Sequence, residues 1–155
     1  MLEGIFRHLR RSDREPGQGE GASERLRARL HGQATFPFEV VETLRFQNEL
    51  RSIMGLTPPI EAARRCVAVL KAERDGSRRK RVGVRIDGSL IGYMPDYLSA
   101  PFLAWLKSWN LVRAQFYCLA VIETDEKGND QGRGGYRVKL DIEIPFKMTT
   151  MPPQP

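Results

Sequence analysis

Residues 82–93, VGVRIDGSLIGY, constrain this chain more than any other segment. An Asp-Gly pair between two alternating apolar runs suits the positive φ that a two-residue hairpin turn needs at both of its positions. With Asp87-Gly88 as the turn, Ile86 faces Ser89, Val84 faces Ile91 and Val82 faces Tyr93. Five apolar side chains then share one face, and Arg81, Gly83 and Arg85 lie on the other. An isolated hairpin is marginal in water, so this one needs further strands to cover its apolar face.

The flanking sequence supplies them. CVAVLKA (66–72) and LVRAQFYCLAVIET (111–124) read as strands, and FPFEVVETLRF (36–46) has the β-branched and aromatic character of another. YRVKLDIEIPF (136–146) alternates, with Val138, Leu140, Ile142 and Ile144 directed inward and Lys139, Asp141 and Glu143 outward. RFQNELRSIMG offers a short helix closed by Gly55. In PDYLSAPFLAWLKSWN, Ser99 suits a helix cap and Pro101 a first turn, while Leu98, Phe102, Leu106 and Trp109 form a stripe with Trp105 beside it. That spacing describes a helix lying on a sheet. The fold expected is mainly β (α+β): a small five- to six-stranded β-barrel with a helical cap and a short N-terminal helical arm.

At 155 residues the chain has room for one such domain, placed at 36–146. Residues 1–32 read as a helical arm and linker. Leu2, Ile5, Phe6 and Leu9 share a helical face, RRSDREPGQGEGAS (10–23) is linker-like, and Ser23 caps a short helix carrying Leu26 and Leu30 that Gly32 ends. The Pro-rich end, 147–155, reads as a disordered tail. No apolar stretch approaches the ~18–20 residues of a membrane span. The start lacks the apolar core of a secretory signal, so a cytoplasmic location is expected.

Several chemistries lack their residues. His8 and His31 both precede the barrel, so a Ser-His-Asp or Cys-His arrangement has no base there. Cys66 and Cys118 sit in apolar runs and read as small core residues. No phosphate-binding glycine loop occurs. Asp141 and Glu143, with Lys139 and Lys147 nearby, form the one carboxylate group that resembles a Mg²⁺ site, but alternating charge on the wet face of a strand accounts for it. No catalytic residue, metal or cofactor is assigned.

Charge points to a partner. The net +6 is concentrated in residues 64–85, where nine bases face only Glu73 and Asp75, and it peaks in the run Arg78-Arg79-Lys80-Arg81. Clustered cations of this kind release counterions from a nucleic-acid backbone, and arginine suits phosphate because it binds in a bidentate fork.

The order of elements resembles the HIRAN domain, a small barrel found alone in bacteria and at the front of DNA-remodelling helicases. The resemblance covers roughly residues 38–144 and is carried mainly by VAVLKAE and VGVRIDGSLIGYMP. It implies DNA binding, in some members at the 3′ end of a single strand. Arg45 and Phe46 stand where the family places aromatic residues beside the bound nucleotides, and Tyr93 stands at its aromatic-or-His position. After Glu73 the family's Asn and Asp are replaced by Gly76 and Arg79. A cation there prefers phosphate, so the resemblance implies backbone binding more than end reading.

The expected interface is therefore Arg45, Phe46, Arg74, Arg78, Arg79, Lys80, Arg81, Arg85 and Tyr93, with nucleic acid as partner and DNA ahead of RNA. Six phosphate contacts would give single-strand affinity a log–log salt slope near about −4. The alternative expectation is a protein-interaction module docking through residues 2–11, with the basic loop merely solvated.

Overall fold

The computed structural model describes residues 26–55, 63–125 and 135–152. The chain runs β1 (Arg27–Leu30), β2 (Phe38–Glu39), a 3₁₀ turn (Thr43–Phe46), α1 (Gln47–Met54), β3 (Ala63–Arg74), β4 (Lys80–Ile86), β5 (Ser89–Tyr93), α2 (Asp96–Ser108), β6 (Gln115–Asp125), β7 (Gly135–Asp141) and β8 (Met148–Thr150). Neighbouring strands along the path β2-β7-β6-β3-β4-β5 are antiparallel, and β1 adds a parallel pairing to β6 and an antiparallel one to β8. The twelve-residue β3 causes much of the curl. Residues 63–70 pair with β6, whereas residues 69–74 pair with β4 on the other side. The result is a mainly β half-barrel with two helices.

The hairpin forms at its expected turn, with φ of 51° at Asp87 and 82° at Gly88. Its register agrees at Ile86–Ser89 and Arg85–Leu90. An irregularity between Val84 and Arg85 then sets Val84 opposite Gly92 and Gly83 opposite Tyr93, one residue away from the alternation read in the sequence. Gly92 explains the slip. At φ 153° a Cβ there would lie 2.5 Å from Val40 Cγ1 and 2.6 Å from the Val41 carbonyl, so only glycine lets the segment after β2 come this close. Val41 and Tyr93 exchange both backbone bonds at 2.8 and 3.1 Å, joining the two ends of the sheet path at one bridge.

The helix lid is as expected. Leu98, Phe102 and Leu106 are buried, and Phe102 meets Phe116 of β6 edge to face at 5.5 Å. The helix begins a turn earlier than Ser99, with Pro95 in extended conformation before Asp96. The N–H groups of Leu98 and Ser99 both bond the Pro95 carbonyl, and Pro101 falls inside the helix. α1 is closed by Gly55 as expected, and it is tied to β7 by Gln47, whose amide bonds the N–H and C=O of Tyr136 at 2.8 and 2.9 Å.

Other expectations are corrected. The helix expected around Leu26 and Leu30 is strand β1, because alternation buries Ala28 and Leu30 while Arg27 and Arg29 point away. The strand expected over 36–46 shrinks to two residues, since Glu42 at φ 63° turns the chain into the 3₁₀ segment. Part of the expected tail is β8, which buries Met148. Asp141 faces inward at 3% exposure, and Ile144 stands outward at 60% because β7 ends at Asp141. The amphipathic face expected at 2–11, the linker at 10–23 and the Ser23 cap lie outside the described residues. No helix among the described residues is long and apolar enough to cross a membrane.

Gly92→Ala should cost about 2–3 kcal/mol, because both atoms it would strike are held by the bridge and the core. Gly76→Ala, with nothing within 4 Å of its Cβ position, should be close to neutral. Urea midpoints of the two variants check this.

Candidate nucleic-acid interface

The β3–β4 loop is an organised turn. Asp75 Oδ1 accepts the N–H of Ser77 at 2.8 Å and of Arg79 at 3.0 Å. The Asp75 carbonyl accepts Arg78 N–H at 2.9 Å, and Asp75 N–H bonds the Arg79 carbonyl at 2.9 Å. Aspartate bonding its own following backbone in this way stabilises a turn without secondary-structure partners. Arg78 takes φ 62° at the tip, and Arg74 reaches across to its carbonyl at 3.0 Å. Arg74, Arg78, Arg79 and Lys80 are all exposed. Arg79 pairs with Asp96 at the start of α2, at 2.7 Å, which fixes the loop beside that helix.

Arg81 and Arg85 do not join this exposed set. Arg81 is 8% exposed and its guanidinium is ion-paired with Glu42, with Asp75 Oδ2 at 3.8 Å. It also lies 4.1 Å from the centroid of the Tyr93 ring. Arg85 is clamped by Glu73, Nη2 to Oε1 at 3.2 Å, and Glu73 leans over Gly83 to reach it. Both were expected to meet phosphate. Arg81 is buried and must be neutralised where it sits, and half-buried Arg85 is already paired with Glu73, so both are engaged within the fold.

The aromatic residues also come together, on terms the sequence did not show. Tyr93 is 5% exposed, with Arg81 on its face and Phe46 edge-on at 6.4 Å. Its ring is packing, not a stacking platform. Phe46 is half-buried, and Arg45 lies over it at 5.6 Å while also bonding Glu42 at 3.2 Å. Arg45, Phe46, Tyr93 and Arg81 thus form a cation–ring–ring–cation stack held by Glu42. Its hydrogen bond from Arg81, the largest cause, and the two positive charges beside it hold the Glu42 carboxyl below its ordinary pKa despite some desolvation.

Tyr97 was missed. It is 68% exposed on the first turn of α2, next to the Asp96 that holds Arg79, and its ring is 6.2 Å from that of Phe38. Its signal in the sequence was an aromatic residue off the Leu98–Phe102–Leu106 stripe.

Both carboxylate oxygens of Asp141 are occupied by the backbone N–H groups of Ala34, Thr35 and Phe36. Burial pushes the Cys66 thiol up to about 11 and raises Cys118 further, which leaves both as poor nucleophiles. No group of three or more His, Cys, Asp or Glu residues among those described is placed to hold a metal ion. No protein-family model, curated protein or solved structure matches the chain.

Glu42 has a depressed folded-state pKa, so its contribution to stability is present above the unfolded value near ~4.3 and is lost as pH falls through the folded one. Glu42→Gln should therefore be less stable than the parent at pH 7, with the gap closing below about pH 4. Arg81→Ala should cost about 2–4 kcal/mol at pH 7, since it removes the main partner of Glu42 and the cation from the face of the buried Tyr93 ring. Denaturant titrations of both variants from pH 3 to 7 check the sign.

Proposed function

We propose that this protein is a non-catalytic nucleic-acid-binding module of HIRAN-like type that grips the phosphate backbone, with DNA as the preferred partner. The observation that carries the reading is the turn built by Asp75. It orders the backbone from which the exposed Arg74, Arg78, Arg79 and Lys80 project, and among the described residues no carboxylate pairs with Arg78 or Lys80. A pre-ordered set of cations loses less entropy on binding phosphate than a floppy loop does. Tyr97 and the exposed edge of Phe46 are the rings available for base stacking, worth ~1–3 kcal/mol each, and Tyr93 is not. The residues that the family uses to read a 3′ end are replaced here by Gly76 and Arg79, so the binding proposed is to backbone and needs no free end.

Four contacting cations imply a log–log salt slope near about −3 for a single strand. The double variant Arg78→Ala/Lys80→Ala should flatten it by about 1.4 and leave thermal stability unchanged. Tyr97→Ala should weaken single-strand binding about tenfold and duplex binding much less. Fluorescence anisotropy with single-stranded, duplex and 3′-blocked DNA and with RNA, across a salt series, measures all of this. Absence of binding at low salt, or a slope unaltered by the double variant, overturns the proposal.

A further inference from the structure

A groove of about 580 Å³ opens on the outer face of the sheet, lined by Phe36, Arg65, Val121, Glu123 and Lys139, with Thr35 and Ala63 at its rim. It lies at the opposite end of β3 from the basic loop. Arg65 and Asp75 are ten residues apart along an extended strand, or about 33 Å at the usual rise. Its side chains share a face by register. Arg65 pairs with Val121 and Val121 with Lys139, which makes one row across three strands, and Glu123 and Arg137 form part of the next. Glu123 receives Arg137 at 3.1 Å and Lys139 at 3.2 Å, so one carboxylate steadies two cations and the groove stays net positive with Arg65.

The wall of this groove is held in an unusual conformation. Phe36 has φ 48° and Ala34 φ 60°, a region that bulky residues seldom occupy. The buried Asp141 carboxylate holds them there by accepting N–H bonds from Ala34 at 3.0 Å, Thr35 at 3.2 Å and Phe36 at 3.4 Å. Gly32 is packed so tightly on that carboxylate that a Cβ would lie 2.4 Å from it. This arrangement stands the Phe36 ring beside Arg65, 5.3 Å from guanidinium to ring centroid. Backbone of this kind persists where its surroundings over-determine it, and it concentrates at ligand clamps.

We infer that the Phe36–Arg65–Lys139 groove is a second binding site, one that takes a nucleotide: the base lies against the Phe36 and Arg65 planes and the phosphate meets Lys139. The volume suits a ligand of that size, and the lining combines one aromatic plane, one planar cation and one point charge. Asp141 is its positioning residue. The same chemistry describes a free nucleotide and one unit of a bound strand. The inference goes beyond the backbone grip of the loop and does not depend on it.

Calorimetric titration of the full chain with AMP, adenosine and inorganic phosphate tests the site, with a ten-nucleotide single strand as a fourth probe. Saturable AMP binding at least tenfold tighter than that of adenosine or phosphate, and weakened tenfold by Arg65→Gln and by Phe36→Leu, supports a free-nucleotide site. If AMP does not bind but both variants weaken the strand at least threefold in the Arg78→Ala/Lys80→Ala background, the strand is the source and the site stands. Unchanged affinity for AMP and for the strand in both variants, with parental melting temperatures, overturns it. Arg65 and Phe36 lie on the outer face, so both variants should fold. Arg65→Lys keeps the charge and removes the plane, so it should weaken AMP as Arg65→Gln does and leave inorganic phosphate affinity unchanged.

Discussion

The guanidinium of Arg81 is buried where four segments meet: its own strand β4, the turn at Asp75, the chain reversal at Glu42 and the ring of Tyr93 on β5. A charge in that position is tolerated only with a partner, and removal of the partner would leave several kcal/mol uncompensated. The partner dictates the rest. Glu42 must occupy φ 63° to present its carboxylate, and that reversal ends β2 and starts the 3₁₀ turn carrying Arg45 and Phe46. Phe46 then closes on Tyr93. Asp75 divides its two oxygens, one ordering the basic turn and the other facing Arg81. The geometry of the exposed cations thus rests on a buried one.

Charge in residues 64–85 therefore does two kinds of work. Arg81 and Arg85 are matched to Glu42 and Glu73, and their attraction is spent within the fold. Arg79 holds an exposed pair with Asp96, a contact worth ~0–1 kcal/mol and easily exchanged for phosphate. Arg78 and Lys80 are exposed, and among the described residues no carboxylate pairs with them. A phosphate approaching the loop would meet few cations that must first be released from a carboxylate, which favours the loop over the hairpin face in the binding proposed above.

Local rules revealed the hairpin turn, the helix lid with its Leu98–Phe102–Leu106 stripe and the closure of α1 at Gly55, because each depends on residues a few positions apart. They did not reveal what depends on distant contacts. The slip at Gly92 needs Val41 nearby, and with it Tyr93 moves to the face of Gly83 and Arg81, away from Val82. β1 and β8 are only four and three residues long, and they exist because β1 pairs with β6 on one side and with β8 on the other. Arg81 reads like its neighbours in a basic run. Only the carboxylate of Glu42, thirty-nine residues away, sets it apart. Tyr97 was legible in principle, as an aromatic residue on the polar side of a helix.

Asp141 and Glu42 show the same device at two ends of the sheet. Each is an acid tied to a stretch of left-handed backbone, Asp141 through the N–H groups of residues 34–36 and Glu42 through its own φ, and each sets an aromatic residue against an arginine. Phe36 meets Arg65 at one end, and Phe46 with Tyr93 meets Arg45 and Arg81 at the other. The Phe36 and Phe46 rings are brought to their arginines by turns with positive φ that a carboxylate holds, whereas Arg27 and Tyr117 make the same kind of pair across the regular strands β1 and β6. The contacts proposed for the two places thus come from the irregular segments 31–46 and 75–79 together with strand residues such as Arg65 and Lys139, and the sheet sets the distance between them.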